Sequence, residues 1–330
     1  MAGPPDWVLV LAAAALNVMA GFNDGGNLLG SLVAARAFTL FGAALLLAAG
    51  AAIGPWVVGT AVAHTIVFSI VALPRLGRGV YLAAVCGALL TVGVSWWRSL
   101  PTSTSLALVG ALAGAGMAAA GPGAVVWGQV WKVFATMLLA LAAGAIAGGL
   151  VWQGVRLALL RAGPGAPGAL RALQGLTGML QGFGYGSNDA EKAMGLFALA
   201  GAWGGGAGVA GHLAIPAWAV WAAIGTFGLG MALGGARVLR TVGFRLYPIR
   251  ARDALSAQLA AGVTVVLAAA VGGPVSSTQT ATAALLAAGA SRRASLPRWA
   301  VVRQMALTWV VTLPLGLGSG AVLLRLGRAL

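Results

Sequence analysis

The sequence predicts an all-α polytopic membrane protein, and three observations carry that reading. Of its 330 residues, 60% are hydrophobic and 8% are charged, whereas a soluble domain usually carries about 25% charged residues. Long apolar runs recur from Trp7 to Leu324, and a helical span needs about 20 mostly apolar residues. Several runs are short or are cut by Gly, Pro and polar residues, so about 10–12 membrane segments are expected, some of them half-helices. A soluble enzyme, a disordered tail and a disulfide-rich secreted module are excluded by this composition.

The elements follow in order. Met1-Ala2-Gly3-Pro4-Pro5-Asp6 lacks the basic n-region of a cleaved signal, so the first apolar stretch, 7–22, is expected to be a retained helix. The run 38–71 is long enough for two segments, and 80–97, 104–120 and 128–160 follow. Arg161-Ala-Gly-Pro-Gly-Ala-Pro-Gly-Ala-Leu-Arg171 then breaks the pattern at the midpoint; it is turn-forming, basic and non-periodic. Beyond it lie 174–200, 213–233, 254–272, 277–290 and 300–324. The expected organisation is a first transmembrane repeat (1–160), a central basic Gly/Pro loop (161–172) and a second repeat (173–330). With 52 Gly and abundant Ala, helices should meet closely through small-xxx-small faces. Trp96/Trp97 and Trp127/Trp131 suit interfacial belts.

The net charge is +15, which in a soluble chain would suggest nucleic acid. Here the basic residues, 18 Arg and 2 Lys, are scattered in short connections such as Arg75/Arg78, Arg161/Arg171 and Arg292/Arg293/Arg298. That is the pattern of inter-helix loops whose cations set orientation at an anionic leaflet, and no nucleic-acid partner is expected. Arg237-x-x-Arg240 through Arg252 reads the same way. The single Cys86 excludes an internal disulfide. His64 and His212 are far apart and without metal spacing. No Walker A loop, H-E-x-x-H or G-x-S-x-G occurs, so neither ATP use nor enzymatic turnover is indicated.

Cutting at the central loop exposes an internal repeat. Gly21-Phe22-Asn23-Asp24-Gly25-Gly26-Asn27-Leu28-Leu29-Gly30 is answered by Gly186-Ser187-Asn188-Asp189-Ala190-Glu191-Lys192-Ala193-Met194-Gly195, with Asn-Asp recurring after 165 residues. Leu100-Pro101-Thr102-Ser103-Thr104-Ser105 is answered by Gly273-Pro274-Val275-Ser276-Ser277-Thr278-Gln279 at an offset of 173. Duplicated halves with polar interruptions at corresponding positions point to a secondary transporter and to its binding site.

The chemistry of the two motif pairs is legible from residue type. Only five acids occur, Asp6, Asp24, Asp189, Glu191 and Asp253, and three of them lie in the Asn-Asp motifs. A carboxylate at bilayer depth costs at least about 2.5 kcal/mol, so it should face a protein cavity and hold a cation or a neighbouring base. Asn23 and Asn27, four apart, should share a helical face with Asp24 between them. Their oxygens suit a hard cation such as Na⁺, and their amide N–H groups can donate to an anion. In the second copy Lys192 stands where Asn27 stands in the first. The plainer reading of one copy is a helix cap at the interface; recurrence in register favours a site.

The Pro-x-Ser segments read as helix starts, with Pro in the first turn and hydroxyls close behind. A helix N-terminus presents free N–H groups and a positive dipole end to an anion. Two such termini, one from each half, could converge on one tetrahedral anion; ordinary Ser/Thr capping is the alternative.

Together these motifs resemble the inorganic phosphate transporter (PiT) family, whose members carry G-x-N-D-x-x-N and P-x-S-T-T-H signatures in each half. The resemblance covers nearly the whole chain. It includes Gly54-Pro55 with Gly59-Thr60-Ala61-Val62-Ala63, Gly235-Ala236-Arg237-Val238 with Thr241-Val242-Gly243, and Trp309-Val310-Val311-Thr312-Leu313-Pro314. It implies an inverted-repeat secondary transporter fold, and a symporter in the cell membrane that imports inorganic phosphate with Na⁺ or H⁺ by alternating access, with no further cofactor and no catalytic residue. Relatives imply a homodimer. Carried over by motif, the anion would meet Ser103, Thr104, Ser105, Ser276, Ser277, Thr278, Asn27 and Lys192. The coupling cation would meet Asn23, Asp24, Asn188 and Asp189, with Na⁺ at Asp24 and Asp189.

The chain departs from the family pattern at Leu106 and Gln279, where the family has His. It also departs at Gln258 and near Ala51, where members often have Glu. These changes bear on the coupling ion. Sulfate, nearly isosteric with phosphate, is the rival substrate; HPO₄²⁻ can donate to a carboxylate and sulfate cannot. A membrane enzyme pairing Asp24 with Asp189, or a passive anion channel, are the rivals from other classes.

Overall fold

The computed structural model describes residues 5–71, 76–161, 163, 165–204 and 214–329. Among them the regular structure is helical apart from one isolated β-bridge, Val71 to Val125, with twelve helical segments besides a 3-10 turn at Pro122–Ala124. In the first half these are α1 (Trp7–Ala34), α2 (Leu40–Val58), α3 (61–69), α4 (Arg78–Trp97), α5 (Thr104–Ala120) and α6 (Trp127–Leu160). In the second half they are α7 (166–204), α8 (Ala217–Gly234), α9 (Ala236–Arg245), α10 (Ala251–Ala270), α11 (Ser277–Arg292) and α12 (Trp299–Ala329).

Six of these, α1, α2, α4, α6, α10 and α12, are long and apolar enough to cross a bilayer, and α8 with α9 forms a bent pair that could make a seventh. The remainder are shorter or more polar, in keeping with half-helices that line protein rather than lipid. Large apolar side chains such as Phe41, Leu139, Leu150 and Val310 cover the outside. In water that surface would be prohibitive, and against lipid tails it is the ordinary state. The protein is a multi-pass membrane protein.

The ends of the elements follow local chemistry. Asp6 caps α1 by accepting from Leu9 N at 3.3 Å, and Thr39 caps α2 by accepting from Gly42 N at 3.2 Å. Two expectations need correction. The first helix does not stop at 22 but runs through the Asn-Asp motif to Ala34, because a π-helical turn at Gly21–Gly25 absorbs the polar residues without a break. The prolines of the Pro-x-Ser segments do not sit in the first turn: Pro101 and Pro274 precede the N-caps Ser103 and Ser276. Trp152, at 3% exposure, is also no belt residue; its indole donates to Asp253 at 2.9 Å. Arg75 and His212 lie outside the described residues.

The two halves match element for element and exchange partners. α2 packs on α7 while α8 packs on α1; α4 and α5 pack on α12 while α10 and α11 pack on α6. π-helical turns occur in matching pairs, at Gly21–Gly25 and Gly186–Ala190, and at Thr65–Ser69 and Arg240–Arg245. Such turns are rare and concentrate at functional positions.

The glycine six residues past each motif Asp has a steric reason. A Cβ on Gly30 would lie 3.2 Å from the Gly243 nitrogen on α9, and one on Gly195 would lie 2.8 Å from Val67 Cγ2 on α3. Each glycine therefore lets the helix after one motif close on the short π-turned helix of the other half.

Candidate functional site

Each Asn-Asp motif is clamped to the Pro-x-Ser segment of its own half by one amide. The Asn23 Nδ2 donates to the Thr102 carbonyl at 2.8 Å, and the Thr102 N–H donates back to Asn23 Oδ1 at 3.1 Å. Asn188 repeats the arrangement with Val275, donating at 2.9 Å and accepting at 3.2 Å. Asn23, Thr102, Asn188 and Val275 are fully buried. The carboxamide stands in for a strand partner and satisfies the last backbone groups before a helix, which buried backbone requires. This explains why Asn, with a donor and an acceptor in one plane, occupies both positions.

The helices that start there meet. Ser103 caps α5 by accepting from Leu106 N at 3.1 Å, and Ser276 caps α11 by accepting from Gln279 N at 3.3 Å. For these two the capping alternative describes what their oxygens do. The next hydroxyls reach across. Thr104 donates to Asp24 Oδ2 at 3.2 Å, and Thr278, from the other half, donates to Asp24 Oδ1. Ser105 donates to the Val275 carbonyl at 3.0 Å, and Ser277 accepts from Asn188 at 2.9 Å. Asn27 donates to the Thr278 carbonyl at 3.1 Å and accepts from Thr282 at 3.4 Å. Asn23 and Asn27 thus serve different halves, because the π turn alters the helical register between them.

The carboxylates differ in their company. Asp24 receives Asn23 at 2.8 Å along with the two threonines. Asp189 forms an ion pair with Lys192 at 2.5 Å, both side chains being nearly inaccessible. Asp189 Oδ2 is buried without a partner. Glu191 turns away from the centre: its Oε2 accepts from Val62 N at 3.0 Å at the start of α3. Thr104, Asp189 and Lys192 border a cavity of about 20 Å³ with Asn17 and apolar side chains of α1, α5 and α7. That is room for a water molecule. A tetrahedral oxyanion would enter only as the clusters part.

All twelve residues selected from sequence are therefore buried in one region where both halves contribute. Sequence reading did not select Thr282, and it met Thr312 only within the segment 309–314. Thr282 lies four residues past Thr278, a helical spacing that could have flagged it. Thr312 meets Thr102 at 2.5 Å from α12. Gln258 accepts from Thr177 at 2.9 Å and donates to Ser31 at 3.0 Å, so it links α10 to α1 and α7 as a neutral bridge. Among the described residues no group of three or more His, Cys, Asp or Glu side chains converges. A cation held here would use the carboxylate, hydroxyl and carbonyl oxygens around Asp24, the donors a hard ion takes.

Comparison with known proteins places this arrangement. The model of the phosphate transporter family matches residues 20–164 and 158–320. A probable low-affinity inorganic phosphate transporter of Bacillus subtilis (strain 168) is 31% identical over 96% of this chain and 95% of its own length. A protein of the same description from Rhizobium meliloti (strain 1021) is 29% identical over 93% of this chain and 91% of its own. A solved structure described as the sodium-dependent phosphate transporter superimposes with a TM-score of 0.87 over 98% of both chains at 19% identity, so the fold is shared.

Proposed function

The chain belongs to the phosphate transporter family, and on that premise we propose that it imports inorganic phosphate together with a cation, Na⁺ or H⁺, by alternating access. The observation that carries the proposal is the buried Asp24 carboxylate receiving one hydroxyl from each half, Thr104 and Thr278. A group shared by two pseudo-symmetric halves is where rocking of one against the other changes the side from which a substrate is reached.

In this reading the anion takes its hydrogen bonds from Thr104, Ser105, Ser277, Thr278 and Asn27, and from the N-terminal turns of α5 and α11, whose dipoles favour negative charge. The cation takes Asp24 with the oxygens around it. Binding the two together removes the cost of burying either charge alone. The helices that carry the hydroxyls are short and enclosed, so their movement does not expose unpaired backbone to lipid.

Proteoliposomes test the proposal. Labelled phosphate should accumulate under an imposed Na⁺ or H⁺ gradient, and excess sulfate should not compete. Asp24→Asn should abolish coupled uptake while the folded protein remains in the membrane. Wild-type uptake by that variant, or equal transport of sulfate, refutes the assignment.

A further inference from the structure

The two Asn-Asp motifs are built alike except in charge. Asp24 and Asp189 occupy the same position in the repeat, each buried, each next to an amide that clamps a helix start. Three residues past Asp24 stands Asn27, which is neutral and bonded to Thr278 and Thr282 of the other half. Three residues past Asp189 stands Lys192, whose ammonium lies 2.5 Å from Asp189 Oδ1. Among the described residues the ion pairs are Arg78 with Asp6, Lys192 with Asp189 and Arg292 with Asp253. None reaches Asp24, whose hydrogen-bond partners Asn23, Thr104 and Thr278 are all neutral donors.

The charges near the centre can therefore be tallied. With both aspartates ionised, Asp24, Asp189 and Lys192 leave one negative charge uncompensated, because Lys192 pairs with Asp189 alone. The remaining nearby carboxylate, Glu191, is directed at the Val62 N–H on α3. A buried carboxylate without a counter-charge is costly enough to demand one; of the two motif aspartates Asp24 is the one in that position, since Lys192 pairs with Asp189.

We propose that Lys192 is a tethered counter-cation: it permanently holds the place beside Asp189 that a mobile coupling cation takes beside Asp24. The chain then moves one coupling cation with each phosphate, at Asp24, instead of one at each motif. This rests on the cation-coupled reading above and adds a stoichiometry to it. The ammonium also pins Asp189 through one oxygen.

The test uses the full chain in proteoliposomes, with labelled phosphate set against opposing Na⁺ or H⁺ gradients. The gradient at which net phosphate flux stops gives the number of cations moved per phosphate. Wild type should move one, and Lys192→Asn, which gives the second motif the Asn of the first, should move two. Two cations in the wild type, or an unchanged number in a Lys192→Asn protein that transports, overturns the proposal. Wild-type uptake that ignores both gradients overturns the coupled reading itself. That result differs from the failure of the Lys192 assignment alone, where uptake is coupled but carries two cations.

Discussion

Replacing Asn23 with Ala tests how the site is held rather than what it binds. The substitution deletes three hydrogen bonds: one to Asp24 at 2.8 Å, one to the Thr102 carbonyl at 2.8 Å and one from the Thr102 N–H at 3.1 Å. Thr102 is fully buried, so its N–H and C=O are left without water to replace the amide. Each stranded group costs about 1–3 kcal/mol, which puts the loss from the clamp at roughly 2–6 kcal/mol before any effect on Asp24. Asn188→Ala should lose a similar amount, because Val275 is clamped by the same pair of bonds. Asn23→Asp separates geometry from size: it keeps an acceptor for the Thr102 N–H, removes the donor to the carbonyl and sets a second carboxylate beside Asp24. It should destabilise at least as much as Ala. The assay is thermal unfolding of purified protein in detergent, with phosphate uptake measured in parallel. An Asn23→Ala protein that melts with the wild type and transports normally would refute the claim that these amides hold the helix starts in place.

Other substitutions probe neighbouring features. Thr278→Val removes the hydroxyl that Asp24 receives from the opposite half; a hydrogen bond to a charged group contributes about 1.5–3 kcal/mol, so the unfolding temperature should fall, and Thr278→Ser should restore it. Gly110→Ala places a methyl 2.5 Å from the Leu313 carbonyl where α5 crosses α12; overpacking of about 1–3 kcal/mol should appear as a lower unfolding temperature. Arg292→Met strands Asp253, which is fully buried and also bonded to Trp152. A loss of about 3–5 kcal/mol is expected, visible in thermal unfolding and without change in the choice of substrate or cation.

Much of this protein is legible in the order of its residues. Composition fixes the membrane class, since a chain with so few charges cannot face water on all sides. The spacing of apolar runs places most helices within a few residues: 104–120 coincides with α5, and 128–160 with α6. The repeated motifs identify the buried polar residues, because an acid or hydroxyl cluster inside an apolar run has few reasons to be there. Ser103 and Ser276 also follow from local pattern, as caps whose partners lie three residues away.

Tertiary structure decides which of those residues act on one another. Thr278 reaches Asp24 across 254 positions of sequence, and helical periodicity carries no information at that range. Lys192 neighbours both Asp189 and Glu191 in sequence; in the fold Glu191 is drawn off to α3, and Asp189 is left to the ammonium. The π turns that carry α1 and α7 through their polar motifs, and the exchange of α2 and α8 between halves, depend on which surfaces pack together. Local chemistry chooses the groups, and packing between distant segments chooses their partners, because a buried polar atom bonds to whatever the fold brings within reach.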